Sequence, residues 1–545
     1  MCRKFTADEL GSMDHGAKND IIYHMQERLD RLEHDYENLI EQIRLANWQR
    51  FGRHTEKLDG IAGQLSFFNE AEACFDAQSP EPSIDEVVGS ASKKPRKPKK
   101  KGQRQEDLKN FPQEEISHDV AEKKLIDTFG EGSYKNMPDE ICWQLRFEPA
   151  RWIAEKHIIK VYVGTDGLRQ DEFLRGDHPN TLFRGSIATA SLEAAVINAR
   201  YVNSNPLDRI SRDFKANGLN LSKQTMSNWT VWSAERYFQP VYDLMKKYQM
   251  RAHVNQCDET PLEVIHDGRP AGSKSYMWVH LTGELSPVPK IIVYEYQKTR
   301  HSSHPKEYYK GFHGVLMTDG LEQYHKLARE QEGLVNANCM AHARRHFANA
   351  VKAMGKGNQE AVRSSVAYKA LVRIGAIYDL EGSLKNLSPD EHLKERQTSI
   401  RPLVEEYFAW IKEIIASGKV LPKTETGKGL QYSINQEDYL KVFLTDGEVP
   451  IDDSASERAL RNFTIGRKNW MTINTVRGAQ ASAVIYSITE TARANSLNVY
   501  YYIKHLLTEL PQLVGENGNT EQSMLEPLMP WSKTLPADCY SKRRD

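Results

Sequence analysis

A short extended run, HVNQCDET at residues 253–260, ends at Asp258-Glu259-Thr260. Four further runs with the apolar and β-branched composition of strands follow it along the chain. They are Ser275–Leu281, Lys290–Tyr296, Phe312–Met317 and Gly333–Asn338. The run that ends at Met317 is followed by Thr318-Asp319-Gly320, and the last run leads into a helix from Cys339. This pattern predicts five strands of an α/β core, with one acidic side chain directly after the first strand and another directly after the fourth.

Asp319 follows Asp258 by 61 residues (319 − 258 = 61), enough for a three-strand meander, a helix and a return strand. This order of strands and acids is that of a ribonuclease-H-like sheet, in which carboxylates at neighbouring strand ends converge. Hard divalent cations prefer oxygen ligands, and one or two carboxylates per ion suffice. Two such ions about 3.5–4 Å apart can drive phosphoryl transfer. Asp258 and Asp319 are therefore candidate ligands for such a pair of ions.

A third carboxylate is needed to complete such a site, and two glutamates are candidates. Glu457 follows Ser454, which we predict to be a helix N-cap, and Glu490 lies within the next helix. We favour Glu457 because a basic segment suited to a nucleic-acid backbone comes after it. That segment contains Arg458, Arg461, Arg467, Lys468 and Trp470. The alternative is local: Glu457 forms an ion pair with Arg461 one turn on, and the two aspartates are turn residues.

The segment from Cys339 to Phe347 places His342 and His346 one helical turn apart. It lacks the Glu directly after the first His that the zinc protease motif requires. We predict instead a helix that presents Arg344, Arg345 and His346 to phosphate, and we expect no zinc.

Composition limits the classes of protein that fit. The chain has 545 residues with 73 Lys and Arg and 74 Asp and Glu, so its formal net charge is −1, and bulk charge alone cannot bind nucleic acid. The six cysteines form no CxxC pair, which argues against a disulfide framework or a zinc ribbon. Because no apolar run reaches the ~18 residues of a membrane helix, we expect a cytoplasmic protein with no membrane partner. If it binds DNA, we expect it to be associated with the nucleoid.

Residues 1–75 are predicted to form an oligomerisation region. Apolar residues recur there in steps of three and four, which is typical of a coiled coil. They are Ile22, Met25, Leu29, Leu32, Tyr36, Leu39, Ile43 and Ala46. A single amphipathic helix packed on its own domain is the alternative.

Residues 76–110 combine prolines with a dense basic run, a composition that predicts disorder. The run comprises Lys93, Lys94, Arg96, Lys97, Lys99, Lys100, Lys101 and Arg104. It is either a solvated linker or a tether that neutralises DNA phosphates.

Two small domains are predicted to follow. Residues 111–180 read as short strands, Ile141–Phe147 and His157–Val163, with a turn at Thr165-Asp166-Gly167. Residues 181–248 are helical, and a helix from Pro206, a turn at Gly218 and a second helix after Ser222 form a helix-turn-helix pattern. Its second helix carries Lys223, Gln224, Ser227 and Asn228, which can contact bases or phosphates. An ordinary helical hairpin is the alternative.

Taken together, these motifs resemble those of transposases of the insertion-sequence-66 family over most of the chain. The matching segments are Arg50–Lys57, Asp258–Thr260, Thr318–Gly320 with Tyr324, Cys339–Arg345, Ala455–Arg461, Ile465–Trp470, Gly478–Ala479 and Tyr486–Ala492. The resemblance implies a DDE transposase in which Asp258, Asp319 and Glu457 bind two Mg²⁺ or Mn²⁺ ions for DNA cleavage and strand transfer. It also implies double-stranded DNA as partner (transposon ends and target), a homo-oligomer and accessory proteins of the same element.

The implied fold is an α/β ribonuclease-H-like catalytic core with a helical insertion, preceded by the coiled coil and the helix-turn-helix region. The core spans residues 249–349 and 448–515, the insertion spans 350–447, and 516–545 form a tail. The chain departs from the family in two places. Residues 111–175 hold only Cys142, where members carry a zinc module, and Asp452-Asp453-Ser454 stands where members tend to have Asn. A catalytically inactive or domesticated DNA-binding relative and a nuclease without strand joining are therefore alternatives.

Overall fold

The computed structural model describes residues 13–51, 153–163, 173–175, 181–354, 359–384, 386–514 and 520–542. The basic run, the predicted strand Ile141–Phe147, the turn at residues 165–167 and Cys142 lie outside these residues. The chain divides into two compact units, residues 75–180 with 542–545, and residues 1–74 with 181–541.

A six-stranded mixed sheet lies at the centre of the larger unit. Its strands are β3 (Val254–His266), β4 (Lys274–Thr282), β5 (Ile292–Gln297), β6 (Gly314–Thr318), β7 (Leu334–Asn338) and β8 (Ile473–Thr475). The main order is β5-β4-β3-β6-β7, and β8 pairs with the far end of β3. β3, β4 and β5 are antiparallel neighbours, whereas β6 runs parallel to β3 and β7 runs parallel to β6. All five predicted strands are thus present.

The first strand is longer than the sequence indicated, and the prediction that it ends at Asp258 is wrong. β3 continues to His266 because Thr260 pairs with Met277 of β4 and Val264 pairs with Ile473 of β8. Asp258 therefore lies within the strand, two residues beyond the last pairing of β3 with β6 at Gln256.

Helices cover both faces of the sheet. On one face Val254, Val315 and Met317 join an apolar core with the helices that follow β7, whereas Cys257 and Leu316 join a second core with N-terminal and C-terminal helices. The alternation follows from the two-residue side-chain period of a strand. It places Asp258 on the same face as Val254.

The helices before the sheet include the predicted helix-turn-helix pair. They are α1 (His15–Phe51), α2 (Ala190–Ile197), α3 (Leu207–Ala216), α4 (Lys223–Trp232) and α5 (Gln239–Gln249). The Ser222 hydroxyl accepts a hydrogen bond from the Thr225 backbone N–H at 3.1 Å, so Ser222 caps α4 as predicted. Gly218 adopts a φ of 88° in the turn, a conformation that favours glycine. A small hairpin in the other unit pairs β1 (Val161–Val163) with β2 (Phe173–Arg175); the strand predicted from His157 is shorter at its start.

The described residues between β7 and β8 form helices and no strands. They are α8 (Met340–Met354), α9 (Gln359–Ser364), α10 (Val366–Ser383), α11 (Pro389–Glu395), α12 (Arg401–Ala416), α13 (Glu425–Asn435), α14 (Glu437–Leu440) and α15 (Ser454–Trp470). Between β5 and β7 lie α6 (Ser303–Tyr308) and α7 (Glu322–Glu330); α16 (Val476–Ala494), α17 (Val499–Leu513) and α18 (Gln522–Leu525) follow β8. In the part of the chain that the structure describes, none of these helices has the length and apolar character needed to cross a bilayer.

The helix that carries Glu457 begins one residue away from the predicted boundary. Ser454 is its first residue, and Asp453 occupies the N-cap position without a side-chain capping hydrogen bond. The prediction of Ser454 as the cap is therefore wrong, although the helix and the place of Glu457 in its first turn are as expected.

Candidate active site

The register between β3 and β6 brings the first two predicted carboxylates side by side. Val254 pairs with Val315 and Gln256 with Met317, an offset of 61 residues that also separates Asp258 from Asp319. Because side chains alternate along a strand, Asp258 shares the face that carries Val254 and Val315. Asp319 directly follows Thr318, the last residue of β6, so the sheet brings the two aspartates to the same level along neighbouring strands.

Three contacts fix the start of α15 against this edge of the sheet. Gln256 Nε2 donates to the Asp452 carbonyl at 3.3 Å, and the backbone N–H of Met340 donates to the Ile451 carbonyl at 3.1 Å. The Asp453 backbone N–H donates to Cys339 Sγ at 3.2 Å. These bonds tie the residues before α15 to β3 and to the start of α8, and they bring Glu457 to the two aspartates.

The charges of the neighbouring carboxylates act on Asp258. Burial raises the pKa of Asp258 well above its ordinary value, and the negative charges of Glu259, Asp319 and Glu457 raise it further. The Glu259 backbone N–H, 2.8 Å from Asp258 Oδ1, opposes the shift. Removal of water and convergence of like charge both disfavour the ionised carboxylate, as expected where acids gather.

A tyrosine of α13 contacts the backbone at Asp319. Tyr432 Oη donates to the Asp319 carbonyl at 3.0 Å, and Gly320 adopts a φ of 87°. A Cβ at Gly320 would stand 2.8 Å from Tyr432 Oη, so both the conformation and the close approach favour glycine at this position.

Two arginines supply positive charge to the acids. Arg345 Nη2 of α8 lies 2.5 Å from Glu457 Oε1. Arg300, which follows β5, forms an ion pair with Glu259, and its Nη2 lies 3.8 Å from Asp319 Oδ2. The carboxylates are therefore compensated by side chains of the chain itself.

His342 lies beside the Arg345–Glu457 pair. Its Nε2 is 4.0 Å from Glu457 Oε1 and 3.4 Å from Arg345 Nη1. Burial, together with the charge of Arg345, lowers the pKa of His342 to about 4. The imidazole is consequently neutral at neutral pH and adds no further charge to the site.

Sequence reasoning gave no separate role to Glu259 or Arg300, and it identified Asp453 only as one of the extra carboxylates at Asp452-Asp453-Ser454. Glu259 faces the opposite side of the sheet from Asp258, where Tyr324 Oη donates to its Oε2 at 2.9 Å. Asp453 is 1% exposed, and burial followed by the charge of Asp258 raises its pKa well above the ordinary value. The alternation of side chains along β3 could have predicted that Glu259 faces away from Asp258. The residues around Asp453 in the sequence do not predict its burial.

The donors at this edge fit a divalent cation in chemistry but are not gathered into a metal site. Within the described ranges, no group of three or more His, Cys, Asp or Glu residues is placed to hold a metal ion. Even so, Asp258, Asp319 and Glu457 are the hard oxygen donors that Mg²⁺ prefers, and their mutual repulsion is what such a cation relieves. Binding requires the side chains to move closer together, and Glu457 to exchange Arg345 for the ion.

A family model described as the Transposase IS66 family matches residues 185–481, more than half of the chain. The chain belongs to this family. The model described as Transposase C of IS166 homeodomain matches residues 38–116, and the IS66 C-terminal element matches residues 487–531.

Relatives among curated proteins carry no functional description. The uncharacterized proteins y4jD, y4hP and y4qI of Sinorhizobium fredii are each 25% identical over 363, 351 and 364 residues. The matches cover 65%, 63% and 65% of this chain and 68%, 61% and 64% of the relatives, respectively. The chain thus spans about two thirds of the length of these proteins.

The boundaries of the IS66 match separate the two candidates for the third acid. Asp258, Asp319 and Glu457 all lie within residues 185–481, whereas Glu490 lies in the C-terminal element. Glu490 is 4% exposed and is engaged by Asn462 Nδ2 at 2.8 Å and Arg493 Nη1 at 3.3 Å. Both contacts are made by Oε2, whereas Glu490 Oε1 is buried without a hydrogen-bond partner.

The predicted DNA-binding residues of this IS66 protein lie in different surroundings. Arg458 pairs with Glu284 at 2.8 Å, and Arg467 donates to Thr260 Oγ1 at 3.2 Å and to the Pro261 carbonyl. Arg344 has a buried Nη2 without a hydrogen-bond partner. Five other residues that we predicted to bind DNA are at least partly exposed in the structure: Lys223, Gln224, Asn228, Arg461 and Lys468. Lys93, Lys94, Arg96, Lys97, Lys99, Lys100 and Lys101 lie outside the described residues.

Proposed function

We propose that this IS66-family protein is a DDE transposase that cleaves DNA at transposon ends and joins the ends to a target. The observation that carries the proposal is that Asp258 of β3 and Asp319, directly after β6, stand at the same level, and that α15 begins against this edge of the sheet with Glu457 in its first turn. A ribonuclease-H-like core is supported by the sheet, in which three antiparallel strands are followed by two strands parallel to the first.

The chain's residues would orient and neutralise the reacting groups. Asp258, Asp319 and Glu457 would hold two divalent ions, Mg²⁺ or Mn²⁺, which when bound activate the attacking oxygen and stabilise the leaving oxygen of a phosphodiester. Arg345 and Arg300 contact Glu457 and Asp319, and they would donate hydrogen bonds to phosphate oxygens once these carboxylates bind the ions. Asp258 is partly buried, and charge interactions at such a position are stronger than in bulk solvent.

DNA recognition is assigned to the α3–α4 pair and to the basic run. Lys223 and Gln224 on the first turn of α4 are exposed, and Gln224 Nε2 donates to Asn228 Oδ1 at 3.0 Å. Lys223 would bind phosphate, and the two amides would face base edges in the major groove. The basic run Lys93–Lys101 would add sequence-independent, salt-dependent affinity.

Self-association is assigned to α1. Apolar side chains of its heptad stripe, among them Met25 and Leu29, are more than half exposed. An exposed apolar stripe of 3.5-residue period suits a second copy of the same helix. Synapsis of two transposon ends would then occur on an oligomer, with accessory proteins of the same element as further partners.

The test is DNA cleavage and joining by the purified full-length chain. Fragments that contain the DNA flanking its own gene would be incubated with Mg²⁺ or Mn²⁺, and cut and joined products would be separated on a denaturing gel. We expect Asp258→Asn, Asp319→Asn and Glu457→Gln each to lower the rate at least 10³-fold, and Glu490→Gln to retain cutting.

Three results contradict parts of the proposal. No cutting by the wild type in either metal favours an inactive or domesticated DNA-binding relative. Cutting without joined product from a pre-cut 3′-hydroxyl end favours a nuclease. Loss of cutting in Glu490→Gln with retention in Glu457→Gln, both at unchanged melting temperature, would transfer the third role to Glu490.

A further inference from the structure

Asp453 occupies a position that its structural surroundings do not explain. It stands at the N-cap of α15, where an Asp carboxylate ordinarily accepts a hydrogen bond from the backbone of the first turn. Here the side chain makes no capping hydrogen bond. The carboxylate is therefore not used to stabilise the start of the helix.

Contact with solvent does not explain an aspartate at this position either. Asp453 is 1% exposed, and its Oδ1 is buried without a hydrogen-bond partner. A buried carboxylate oxygen without a partner costs free energy unless a cation or a donor compensates it.

The charges acting on this carboxylate are negative. Gln256, on the same face of β3 as Asp258, donates to the Asp452 carbonyl at 3.3 Å, so Asp453 stands beside the edge of the sheet that carries Asp258. The charge of Asp258 acts on it most strongly, followed by those of Glu457 and Asp319. The Ser456 side chain offsets this effect in part, but a hydroxyl group carries no net charge. The position therefore calls for a cation from outside the chain.

We propose that Asp453 is a fourth carboxylate of the divalent-ion site and binds the ion held by Asp258. This inference rests on the proposed function and adds a ligand that the three-acid pattern does not contain. Its oxygen ligand is of the kind that Mg²⁺ and Mn²⁺ prefer. Because Asp453 directly precedes α15, the ion would also link β3 to the start of the helix that carries Glu457.

The test measures ion binding and not turnover. Mn²⁺ binding to the full-length chain without DNA would be titrated by electron paramagnetic resonance for the wild type, Asp453→Asn and Asp452→Asn. Asn keeps the size of Asp and removes its charge. Asp452 is the matched control, since it is adjacent in sequence and its Oδ1 already accepts the Ser454 backbone N–H at 3.0 Å.

We expect Asp453→Asn to weaken Mn²⁺ binding about tenfold or more, the scale found when groups supporting a metal site are removed. Asp452→Asn should change it less than about twofold. Asp453→Asn should also melt at a higher temperature than the wild type without metal, because one repelling charge is gone, and gain less from added Mn²⁺.

The failures are distinguishable. Wild type that binds Mn²⁺ with unchanged affinity in Asp453→Asn overturns the role of Asp453 and leaves the proposed function standing. Equal weakening in both variants also overturns it, because general charge is then the cause. Wild type that binds no Mn²⁺ with or without transposon-end DNA overturns the metal-dependent function itself, and this inference with it.

Discussion

Arg345 Nη2 lies 2.5 Å from Glu457 Oε1, and the contact joins α8, which follows β7, to α15, although 112 residues separate the two side chains in the sequence (457 − 345 = 112). The Arg345 guanidinium thus pairs with the Glu457 carboxylate, which the proposed mechanism assigns to a metal ion. The pair connects two regions of the core that the sequence separates by the helical segment. It also sets a competition between guanidinium and metal for the same oxygen.

Arg345→Gln should tighten Mn²⁺ binding to the DNA-free chain, because Glu457 no longer has to give up a cation. An ion pair of this partial exposure contributes up to about 1 kcal/mol, or roughly fivefold in affinity. The matched control is Arg458→Gln, since Arg458 follows Glu457 in sequence but pairs with Glu284. Equal affinities in Arg345→Gln and wild type would mean that the pair persists when the ion binds.

The buried pair of Glu381 and Arg396 should dominate the stability of the helical segment. Arg396 is 0% exposed; its Nε donates to Glu381 Oε2 at 3.1 Å, and its Nη1 donates to the Asp446 carbonyl at 2.7 Å. Glu381→Gln leaves a buried guanidinium without its counter-charge, which costs about 3–5 kcal/mol. Differential scanning fluorimetry should show a clear loss of melting temperature, partly recovered in Glu381→Met with Arg396→Met. A loss no larger than that of an exposed substitution such as Glu413→Gln would contradict this account.

Glu193 makes stability depend on pH. It is 0% exposed, Ser233 Oγ donates to its Oε1 at 3.4 Å, and its Oε2 has no partner. Burial raises the pKa of Glu193 well above 4.5. The folded state therefore keeps a proton that the unfolded state releases, and this stability is present below pH 4.5 and is lost as pH rises toward the folded pKa.

Glu193→Gln should remove that dependence. We expect its melting temperature to exceed that of the wild type at pH 8 and to approach it near pH 4.5. Glu413→Gln on the exposed side of α12 is the control and should follow the wild type throughout. A constant difference across this pH range would show that Glu193 does not titrate in it.

Charged substitutions on the α1 stripe should reduce self-association without loss of fold. Leu29 and Leu32 are each 56% exposed, so Leu29→Glu with Leu32→Glu removes little internal packing. Sedimentation velocity should show a shift to smaller species, because like charges then face each other across the helix pair. The control Gln26→Glu adds charge at an exposed position outside the stripe. The same oligomer in all three proteins would count against pairing through α1.

Substitutions on α4 should separate affinity from specificity. Lys223→Ala should weaken binding to all DNA sequences and lower the salt slope by about one, because one phosphate contact is lost. Asn228→Ala should instead reduce discrimination of the end sequence by about 1–3 kcal/mol. Lys419→Ala, exposed after α12, is the control in a fluorescence anisotropy assay. Equal loss for specific and random DNA in Asn228→Ala would exclude base contact by this residue.

Local sequence was sufficient for the elements but not for their long-range pairings. The five strands and the helix pair around Gly218 followed from periodicity and turn residues. The register of β3 with β6, which matches the 61-residue spacing of the two aspartates, is known only from the structure. The extension of β3 could not be read locally, because its end depends on Ile473, more than two hundred residues away. Burial of Asp453 and the reach of Arg300 depend in the same way on packing between distant segments.

The helix that bears Glu457 is fastened at both of its ends to one strand. Before α15, Gln256 of β3 holds Asp452; after it, β8 pairs with Val264 and His266 of the same strand. Adding or deleting a single residue inside α15 would turn one end by about 100° relative to the other, so one fastening would have to break. Natural insertions and deletions should therefore be excluded from this helix and accumulate in the helical segment before it. The number of residues in α15 then fixes the distance between Glu457 and the sheet in every descendant of the gene.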